Sequence, residues 1–256
     1  MGSYFTKVFA IFEAEMDKLK RDPTDLFTRA LQPALWLLVF GQVFTRTKAI
    51  PTGSLSYIEF MTPGILAQSV LFMSIFYGLS AIWERDLGIL QKYLVSPTPR
   101  SSLVLGKALA AGVRGIAQAI ILALLSLLLG VHLSLHPLNI LGVLVAIVFG
   151  AAFFSTFSLI IACLVKSRER FMGIGQVLTM PLFFASNAIY PISMMPPWLQ
   201  AISHLNPLTY QVDVLRTLML DQAPNAATIG LDFGVLTFAF ALFVVIASWA
   251  YPRLGS

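Results

Sequence analysis

Long apolar segments, repeated along the chain and separated by short charged stretches, constrain the fold more than any other feature. Of the 256 residues, 57% are apolar and 11% are charged, whereas a soluble globular domain carries about a quarter charged residues. A helix needs roughly 20 apolar residues to cross a bilayer. The segments therefore predict an all-α, polytopic membrane protein with a single transmembrane domain over residues 1–256.

Six transmembrane helices are predicted from these segments. Their approximate bounds are Phe27–Thr45, Tyr57–Trp83, Lys107–Val131, Leu138–Val165, Phe171–Tyr190 and Leu231–Tyr251. The first is the weakest, because its uninterrupted apolar part is short and contains Pro33. The residues on either side of this apolar part must also be helical if the segment is to span the bilayer.

Residues 4–21 precede the first span and predict an amphipathic helix. Apolar side chains recur at helical spacing, with charged side chains between them. The apolar positions are Phe5, Val8, Phe9, Phe12, Met16 and Leu19. A helix with this pattern is suited to the headgroup region, so we expect it to lie in the interface and contact membrane lipid.

The basic residues predict the orientation of the chain. With the N-terminus in the cytoplasm, all of the 17 Lys and Arg residues except Arg46, Lys48 and Arg216 fall on the cytoplasmic side. Such a bias sets topology. We expect both termini to be cytoplasmic, in a bacterial-type inner (plasma) membrane. The net charge of +5 does not indicate nucleic-acid binding, because the basic residues are spread over the loops.

A charged segment with two prolines, residues 84–107, connects the second and third spans on the predicted cytoplasmic side. Asp86–Val95 predicts a short helix with Leu87, Leu90 and Leu94 on one face. We call residues 84–107 the elbow. A partner protein that contacts the elbow would be well placed to move the two spans that it connects. A solvated connection without a partner is the alternative.

Proline defines the end of that short helix. Pro97 and Pro99 should stop it, because proline lacks the amide donor. Ser101 or Ser102 would then cap the next helix.

On the opposite side of the membrane, residues 191–230 are too polar and too rich in proline for a seventh span. They predict two short helices at the outer interface.

Three motifs resemble the permease subunit of ABC-2-type exporters, a class that includes drug-resistance, lipo-oligosaccharide and O-antigen exporters. The most specific one lies in the outer segment and contains Pro191, Trp198, Asn206, Pro207, Tyr210, Asp213 and Arg216. The second lies in the elbow and contains Glu84, Arg85, Asp86, Gly88, Ser96, Pro97, Arg100, Gly106 and Lys107. The third, weaker one contains Tyr57, Phe60, Pro63 and Gly64. The chain departs from the family pattern at Thr98, where a hydrophobic residue is typical.

The resemblance implies a half-transporter. Two permease copies, as a homodimer or a close heterodimer, would pair with two separate ATPase subunits that bind ATP and Mg. In this interpretation the elbow residues Glu84, Arg85, Asp86, Gly88, Leu90, Leu94 and Arg100 couple the permease to the ATPase. The chain itself has no phosphate-binding loop with a Gly-x-x-x-x-Gly-Lys-Ser/Thr pattern, so we expect no cofactor in it.

Four polar residues are candidates for the substrate path. Arg114 lies seven residues past Lys107, about 10 Å deeper along a helix, and Gln118 follows one turn later. Ser186 and Asn187 lie near Pro181, which predicts a kink in the fifth span. A charge within a span often marks a pathway. The alternative is an arginine whose side chain reaches back to the headgroups.

Other functions are less well supported by the sequence. His132 and His136 have a spacing that can bind metal on a helix, but Pro137 and Gly130 place them in a loop. We predict no metal site and no catalytic site. An ion-coupled secondary transporter usually needs an ionisable group near the midplane, and Glu59, Glu84 and Glu169 lie at span ends. A membrane-embedded assembly factor is a third alternative.

Overall fold

The computed structural model describes residues 2–21, 24–48, 50–53, 55–89, 98–165, 167–220 and 226–251. Within these ranges the chain forms helices and connecting turns and no strand. The helices are α1 (Gly2–Arg21), α2 (Thr24–Leu35), α3 (Gln42–Thr47), α4 (Tyr57–Tyr77), α5 (Leu79–Asp86), α6 (Arg100–Leu128), α7 (Pro137–Leu164), α8 (Arg168–Phe184), α9 (Pro197–Leu205), α10 (Pro207–Met219) and α11 (Ala226–Ala250). The all-α prediction is confirmed.

Four helical segments of the described chain are long and apolar enough to cross a bilayer. They are Tyr57–Asp86, which comprises α4 and α5, together with α6, α7 and α11. The chain is therefore a membrane protein with several spans. The count of six remains a prediction, because it depends on the first and fifth apolar segments.

The first apolar segment is helical over its whole length but irregular in its middle. A π-helical stretch, Trp36–Gly41, joins α2 to α3. Pro33 lies in the last turn of α2 and lacks the amide that would bond the carbonyl four residues back. Helices that lose backbone bonds in this way adjust by local π geometry. The structure therefore gives one continuous helical run from Thr24 to Thr47.

The fifth apolar segment ends earlier than predicted. Its helix α8 has 17 residues and stops at Phe184, so residues 185–190 form a turn and not the end of a helical span. Two side chains bond the last carbonyls of α8. Asn206 Nδ2 donates to Leu182 O at 2.7 Å, and the Tyr190 hydroxyl donates to Phe184 O. These bonds replace the helical bonds that end there.

Three predicted boundaries at the elbow and in the last span are wrong. α5 runs through Asp86, and Gly88 has φ +70°, so no helix begins at Asp86. Glycine adopts this left-handed conformation without a steric penalty. The rest of the predicted helix, residues 90–95, and the predicted stop at Pro97 lie outside the described residues. α6 begins at Arg100, seven residues before the predicted start, with Pro99 at its N-cap and no side-chain cap from Ser101 or Ser102. α11 begins at Ala226, five residues before the predicted Leu231.

α4 is the centre of the fold. It begins at a capping box, in which Ser56 accepts from the Glu59 amide and Glu59 accepts from the Ser56 amide. It contributes more buried side chains to the larger core than any other helix described, and packs there against α6, α7 and α10. Gly64 lies so close to the turn after α8 that an added Cβ would stand 2.1 Å from Ala188 O. A smaller core surrounds α5 and the ends of α7 and α11.

Candidate functional site

Charged side chains from three helices meet inside the protein at the end that the charge bias predicts to be cytoplasmic. This buried ionic cluster comprises Glu15 and Lys18 of α1, Glu84 of α5, and Lys107 and Arg114 of α6. Glu15, Glu84 and Lys107 are 3%, 4% and 5% exposed. The cluster joins the N-terminal helix to the two helices that flank the elbow.

Lys107 is the centre of the buried ionic cluster. Its Nζ donates to both carboxylate oxygens of Glu84, at 2.9 and 2.8 Å, and to Glu15 Oε1 at 3.3 Å. Lys18 Nζ bridges the same two carboxylates, at 2.8 Å from Glu15 and 2.7 Å from Glu84. Buried charges persist only when they are paired in this way.

The pKa values of the α1 members follow from these contacts. Burial alone would raise the pKa of Glu15, but Lys107 and Lys18 outweigh burial and lower it to about 2. Burial alone would lower the pKa of Lys18, and the carboxylates of Glu84 and Glu15 raise it instead. Both groups are therefore charged at neutral pH, and α1 is held by ion pairs.

A second ionic group lies on the surface where α5 ends. Arg85 donates to Asp86 Oδ1, at 3.1 and 3.0 Å, and to Val165 O at 3.3 Å. Arg168 of α8 bonds Asp86 Oδ2 at 2.9 Å, and its guanidinium stacks 3.5 Å above the Trp83 ring. These contacts tie the start of the elbow to the connection between α7 and α8.

The predicted coupling residues therefore divide into three sets. Glu84 points inward, to the buried ionic cluster, whereas Arg85 and Asp86 lie on the surface group. Arg100 is exposed at the first position of α6. Leu90 and Leu94 lie outside the described residues. The structure brings Glu84 to Lys107, which the sequence motif had placed at opposite ends of one loop.

The candidate path residues of α6 are both engaged with other helices. Arg114 Nη2 donates to Glu15 O at 3.2 Å, lies 3.5 Å from Glu15 Oε2, and its guanidinium lies over the Tyr77 ring at 4.3 Å. Gln118 is fully buried. With its amide oriented to match its neighbours, it donates to Leu26 O and accepts from Ala30 N, both at 3.2 Å. Gln118 thus bridges two positions of α2 that are four residues apart.

The candidate path residues after α8 belong to a second polar network, on the predicted outer side. Ser186 is buried and donates to Phe183 O at 2.7 Å. Asn187 Nδ2 donates to Asp213 Oδ1. The backbone carbonyl oxygen of Asn187 accepts from Arg216 Nη2 at 2.7 Å. Arg216 is 8% exposed and also donates to Phe60 O of α4, at 3.3 and 3.4 Å.

Burial changes the charge equilibria in this network. Burial raises the pKa of Asp213 and lowers the pKa of Arg216 to about 10, while their ion pair opposes both shifts. Their closest charged atoms are 3.7 Å apart. The network fixes α10 against α4 and the turn after α8.

The outer motif residues shape the turns of this segment. Pro191 precedes a 3-10 turn, Ile192–Met194. Asn206 caps α10 by accepting from Leu208 N at 3.0 Å, and Pro207 occupies the first turn of α10, where a missing amide costs nothing. The Tyr210 hydroxyl donates to His204 O at 2.6 Å, and Trp198 is exposed. The two short helices predicted within residues 191–230 are present as α9 and α10, and their place at the outer interface stays a prediction.

Sequence comparison identifies the family of this chain. The pattern of the ABC-2 type transporter family matches residues 6–220. The chain belongs to the ABC-2 type transporter family. Its relatives include ycf38 of Cyanophora paradoxa, named as a transport permease, which is 32% identical over 84% of this chain and 74% of its own length. The daunorubicin resistance ABC transporter permease DrrB1 of Streptomyces coeruleorubidus is 29% identical over 80% and 71%.

A third relative matches over nearly its whole length. The inner membrane transport permease YadH of Escherichia coli K12 is 25% identical over 100% of this chain and 98% of its own. These relatives are transport permeases, and membership of the ABC-2 family implies an ATPase partner subunit.

Two buried carboxylates, Glu15 and Asp232, were not among the candidates from the family resemblance. Glu15 follows Val8 and Ile11 at helical spacing on the buried stripe of α1. Asp232 is buried near the start of α11. The sequence did contain a signal for Glu15, because this carboxylate stands at a position that continues the apolar stripe of α1.

Proposed function

We propose that this chain is the membrane permease subunit of an ATP-driven exporter. In this proposal six spans cross a bacterial-type inner (plasma) membrane, both termini are cytoplasmic, and α1 lies at the interface with lipid. Two permease copies, as a homodimer or a close heterodimer, work with two copies of a separate ATPase that binds ATP and Mg. The cargo would be an amphiphilic drug, a lipid or a lipid-linked glycan, moved outward by alternating access.

The buried ionic cluster is the observation that carries this proposal. The elbow is inserted between α5 and α6, and each of these helices contributes a cluster residue, Glu84 and Lys107. Glu15 and Lys18 add α1 to the same cluster. A force on the elbow would therefore move α1, α5 and α6 together, because separating paired buried charges is costly.

The name of DrrB1 supports an export role but leaves the cargo open. That relative is named for daunorubicin resistance, and ycf38 and YadH are named as transport permeases without a cargo. The coupling role of the elbow rests on the family, together with the position of Arg85, Asp86 and Gly88 at the end of α5.

A paired set of double variants tests coupling. Arg85→Ala with Gly88→Pro removes the bonds to Asp86 and Val165 and forces a positive-φ residue towards φ near −65°. The matched control is Arg46→Ala with Gly53→Pro, since Gly53 also has a positive φ, +68°, but lies in the loop before α4. Both proteins are co-purified with the ATPase and reconstituted into vesicles.

We expect the elbow variant to insert and to retain ATP hydrolysis but to lose ATP-dependent export. The control variant should retain both. Normal export by the elbow variant would exclude the elbow as the coupling element. Export by the purified chain without any ATPase would contradict the whole proposal.

One observation favours the ion-coupled alternative. Asp232 is an acidic residue near the start of the apolar helix α11 and is only 4% exposed. A buried carboxylate in a span is the kind of group that carries protons in ion-coupled transporters. Transport that is driven by a proton gradient in ATPase-free vesicles, and that is lost in Asp232→Asn, would support that alternative. Among the described residues, no feature favours an assembly factor.

A further inference from the structure

A groove of about 410 Å³ lies beside the N-terminal half of α1, between this helix and α6, α7 and α11. We call it the α1 groove. Its walls include Phe5, Phe9, Leu109, Phe149, Ala152 and Phe240. Three of the helices that form it are long and apolar enough to cross a bilayer. Its volume is that of a ligand pocket, which is roughly 300–1,000 Å³.

The α1 groove exists because α1 is held closely on one side only. A Cβ added at Gly106 of α6 would stand 2.8 Å from the Ile11 side chain and 3.0 Å from Val8 O, so the two helices cross in close contact there. The buried ionic cluster holds the same side of α1. On the other side Phe5 and Phe9 are 59% and 60% exposed. α1 therefore packs on α6 and leaves space towards α7 and α11.

The walls of the α1 groove expose only apolar atoms of the described residues. Water is a poor occupant of such a site, because a buried water molecule needs about two to four polar partners. The surroundings supply hydrocarbon instead. Little of α11 is buried inside the protein, and the exposed face of a membrane-spanning helix contacts lipid chains. The walls and the surroundings therefore both point to an alkyl chain.

The α1 groove runs from the level of α1 towards the middle of the spans. α1 crosses α6 at Gly106, six residues or about 9 Å from the start of α6. Phe149 lies deeper, 15 residues or about 22 Å from the end of α7, and that end meets the elbow through the bond from Arg85 to Val165 O. The ring of Phe149 packs edge to face on that of Phe240, with 6.2 Å between the centroids. The acyl chain of a lipid whose headgroup lies at the interface follows the same direction.

We propose that the α1 groove binds one acyl chain of a phospholipid, whose headgroup lies beside α1 and whose chain end reaches Phe149 and Phe240. Such a chain is enclosed by four helices. More of its surface is buried than that of a lipid on the open face of α11, so it exchanges more slowly. The bound chain fills the side of α1 that α6 leaves open. The site rests on the placement of α1 at the interface in the proposed function, and it does not depend on an ATPase.

Photo-crosslinking tests the proposal. The protein is reconstituted with phosphatidylcholine that carries a diazirine either near the headgroup or at the end of one acyl chain, and it is extracted and gel-filtered in detergent before illumination. We expect the chain-end probe to crosslink to Phe149 or Phe240 and the other probe to Phe5 or Phe9, as mapped by mass spectrometry. Phe238 is the matched control, because it is 71% exposed on α11 outside the α1 groove. It should react only when illumination precedes extraction.

A larger side chain in the wall should displace the lipid. Leu109 lines the α1 groove and is 40% exposed, so Leu109→Trp fills part of the space without entering the core. Leu124→Trp is the matched control, because Leu124 is 57% exposed on the same helix outside the α1 groove. Native mass spectrometry measures the phospholipid that is retained after gel filtration. We expect Leu109→Trp to retain about tenfold less than the wild type and Leu124→Trp, as when about two methylene groups stay unburied.

Three results would overturn the proposal. They are the absence of a retained lipid in the wild type, equal crosslinking of Phe238 and Phe240 after extraction, and a photoreactive side chain at position 9 that crosslinks to a second copy of the chain and not to lipid. If Leu109→Trp fails to fold by circular dichroism, the crosslinking pattern of the wild type decides alone. If no ATPase associates but the lipid is retained, the exporter proposal fails and the lipid site remains. ATP-dependent export by a protein that retains no lipid would show the reverse.

Discussion

Lys107 illustrates how a single buried charge can organise this structure. It is enclosed by Glu84 and Glu15, which come from different helices. We predict that Lys107→Met destabilises the protein by about 3 kcal/mol, because removing one partner leaves carboxylates buried without compensation. Chemical unfolding in detergent, followed by circular dichroism, measures the change.

The matched control for this variant is Lys20→Met. Lys20 pairs with Asp17 on the exposed face of α1, at 3.3 Å, and a surface pair contributes at most about 1 kcal/mol. A further variant, Lys107→Met with Glu84→Gln, should recover part of the loss. Equal stabilities of the Lys107→Met and Lys20→Met proteins would show that the buried ionic cluster is not needed for folding.

Glu15 makes the stability of the protein depend on acid pH. Its pKa is about 2 in the folded protein against 4.5 for a free glutamate, so the folded state binds fewer protons than the unfolded state. Its contribution is present above pH 4.5 and is lost as pH falls towards 2. We expect the unfolding midpoint of the wild type to fall through this range by more than that of Glu15→Gln. Parallel pH profiles of the two proteins would contradict the ion pairing of Glu15.

At the scale of helices, close packing depends on glycines at crossing points. An alanine at position 64 would place its Cβ 2.1 Å from the Ala188 carbonyl oxygen, which is a backbone atom that cannot rotate away. We predict that Gly64→Ala costs about 1–3 kcal/mol, as overpacking does. Thermal unfolding in detergent measures it, and Gly173→Ala is the control.

Gly173 is also helical, in α8, but a Cβ added there would have no atom of another residue within 4 Å, apart from its own helical backbone and chain neighbours. Alanine there should be neutral or stabilise the helix by about 0.5–1 kcal/mol. If both alanine variants behave alike, the approach of α4 to the turn after α8 is looser than the structure indicates.

Helices were predictable where an apolar run ends at a proline, a glycine or a charge. α7 begins at Pro137 and stops at Leu164, each one residue from the predicted bounds Leu138 and Val165. The predicted boundaries were wrong where contacts with other parts of the chain decide the end of a helix. α8 ends at Phe184 because Asn206 and Tyr190 bond its last carbonyls. The π-helical stretch Trp36–Gly41 was not predicted either, because Pro33 signals a disturbed helix but not the form that the helix then takes.

The candidate site was only partly predictable, because it also depends on contacts between helices. The elbow motif identified Glu84 and Lys107 as residues of interest, since both lie in one connected segment. It could not show that they form a buried pair, or that Glu15 from another helix joins them. Ion pairs between helices depend on how the helices pack, and one sequence records only the spacing along each helix.

At the scale of the whole molecule, the two polar networks lie at opposite ends of one continuous element. The segment Tyr57–Asp86 carries Phe60, whose carbonyl accepts from Arg216, near one end and Glu84 near the other. A displacement of the buried ionic cluster can therefore be transmitted through α5 and α4 to the network around Arg216. The proposed transport cycle requires the two networks to face opposite sides of the membrane.

Cysteine labelling tests that requirement. The sole native cysteine, Cys163, is buried, so a Cys163→Ala protein provides a background for single cysteines. His132→Cys replaces a side chain that is 94% exposed in the connection between α6 and α7, and Arg100→Cys lies at the opposite end of α6. On intact cells, a membrane-impermeant thiol reagent should label position 132 and not position 100.

Permeabilised cells provide the control, because both positions should then react to the same extent. The expected pattern follows from the positive-inside rule, because the predicted topology has all but three of the Lys and Arg residues on the cytoplasmic side. Labelling of position 100 on intact cells would place the elbow outside the cell. An elbow on that side could not contact a cytoplasmic ATPase, so this result would exclude the proposed coupling whatever the transport assays show.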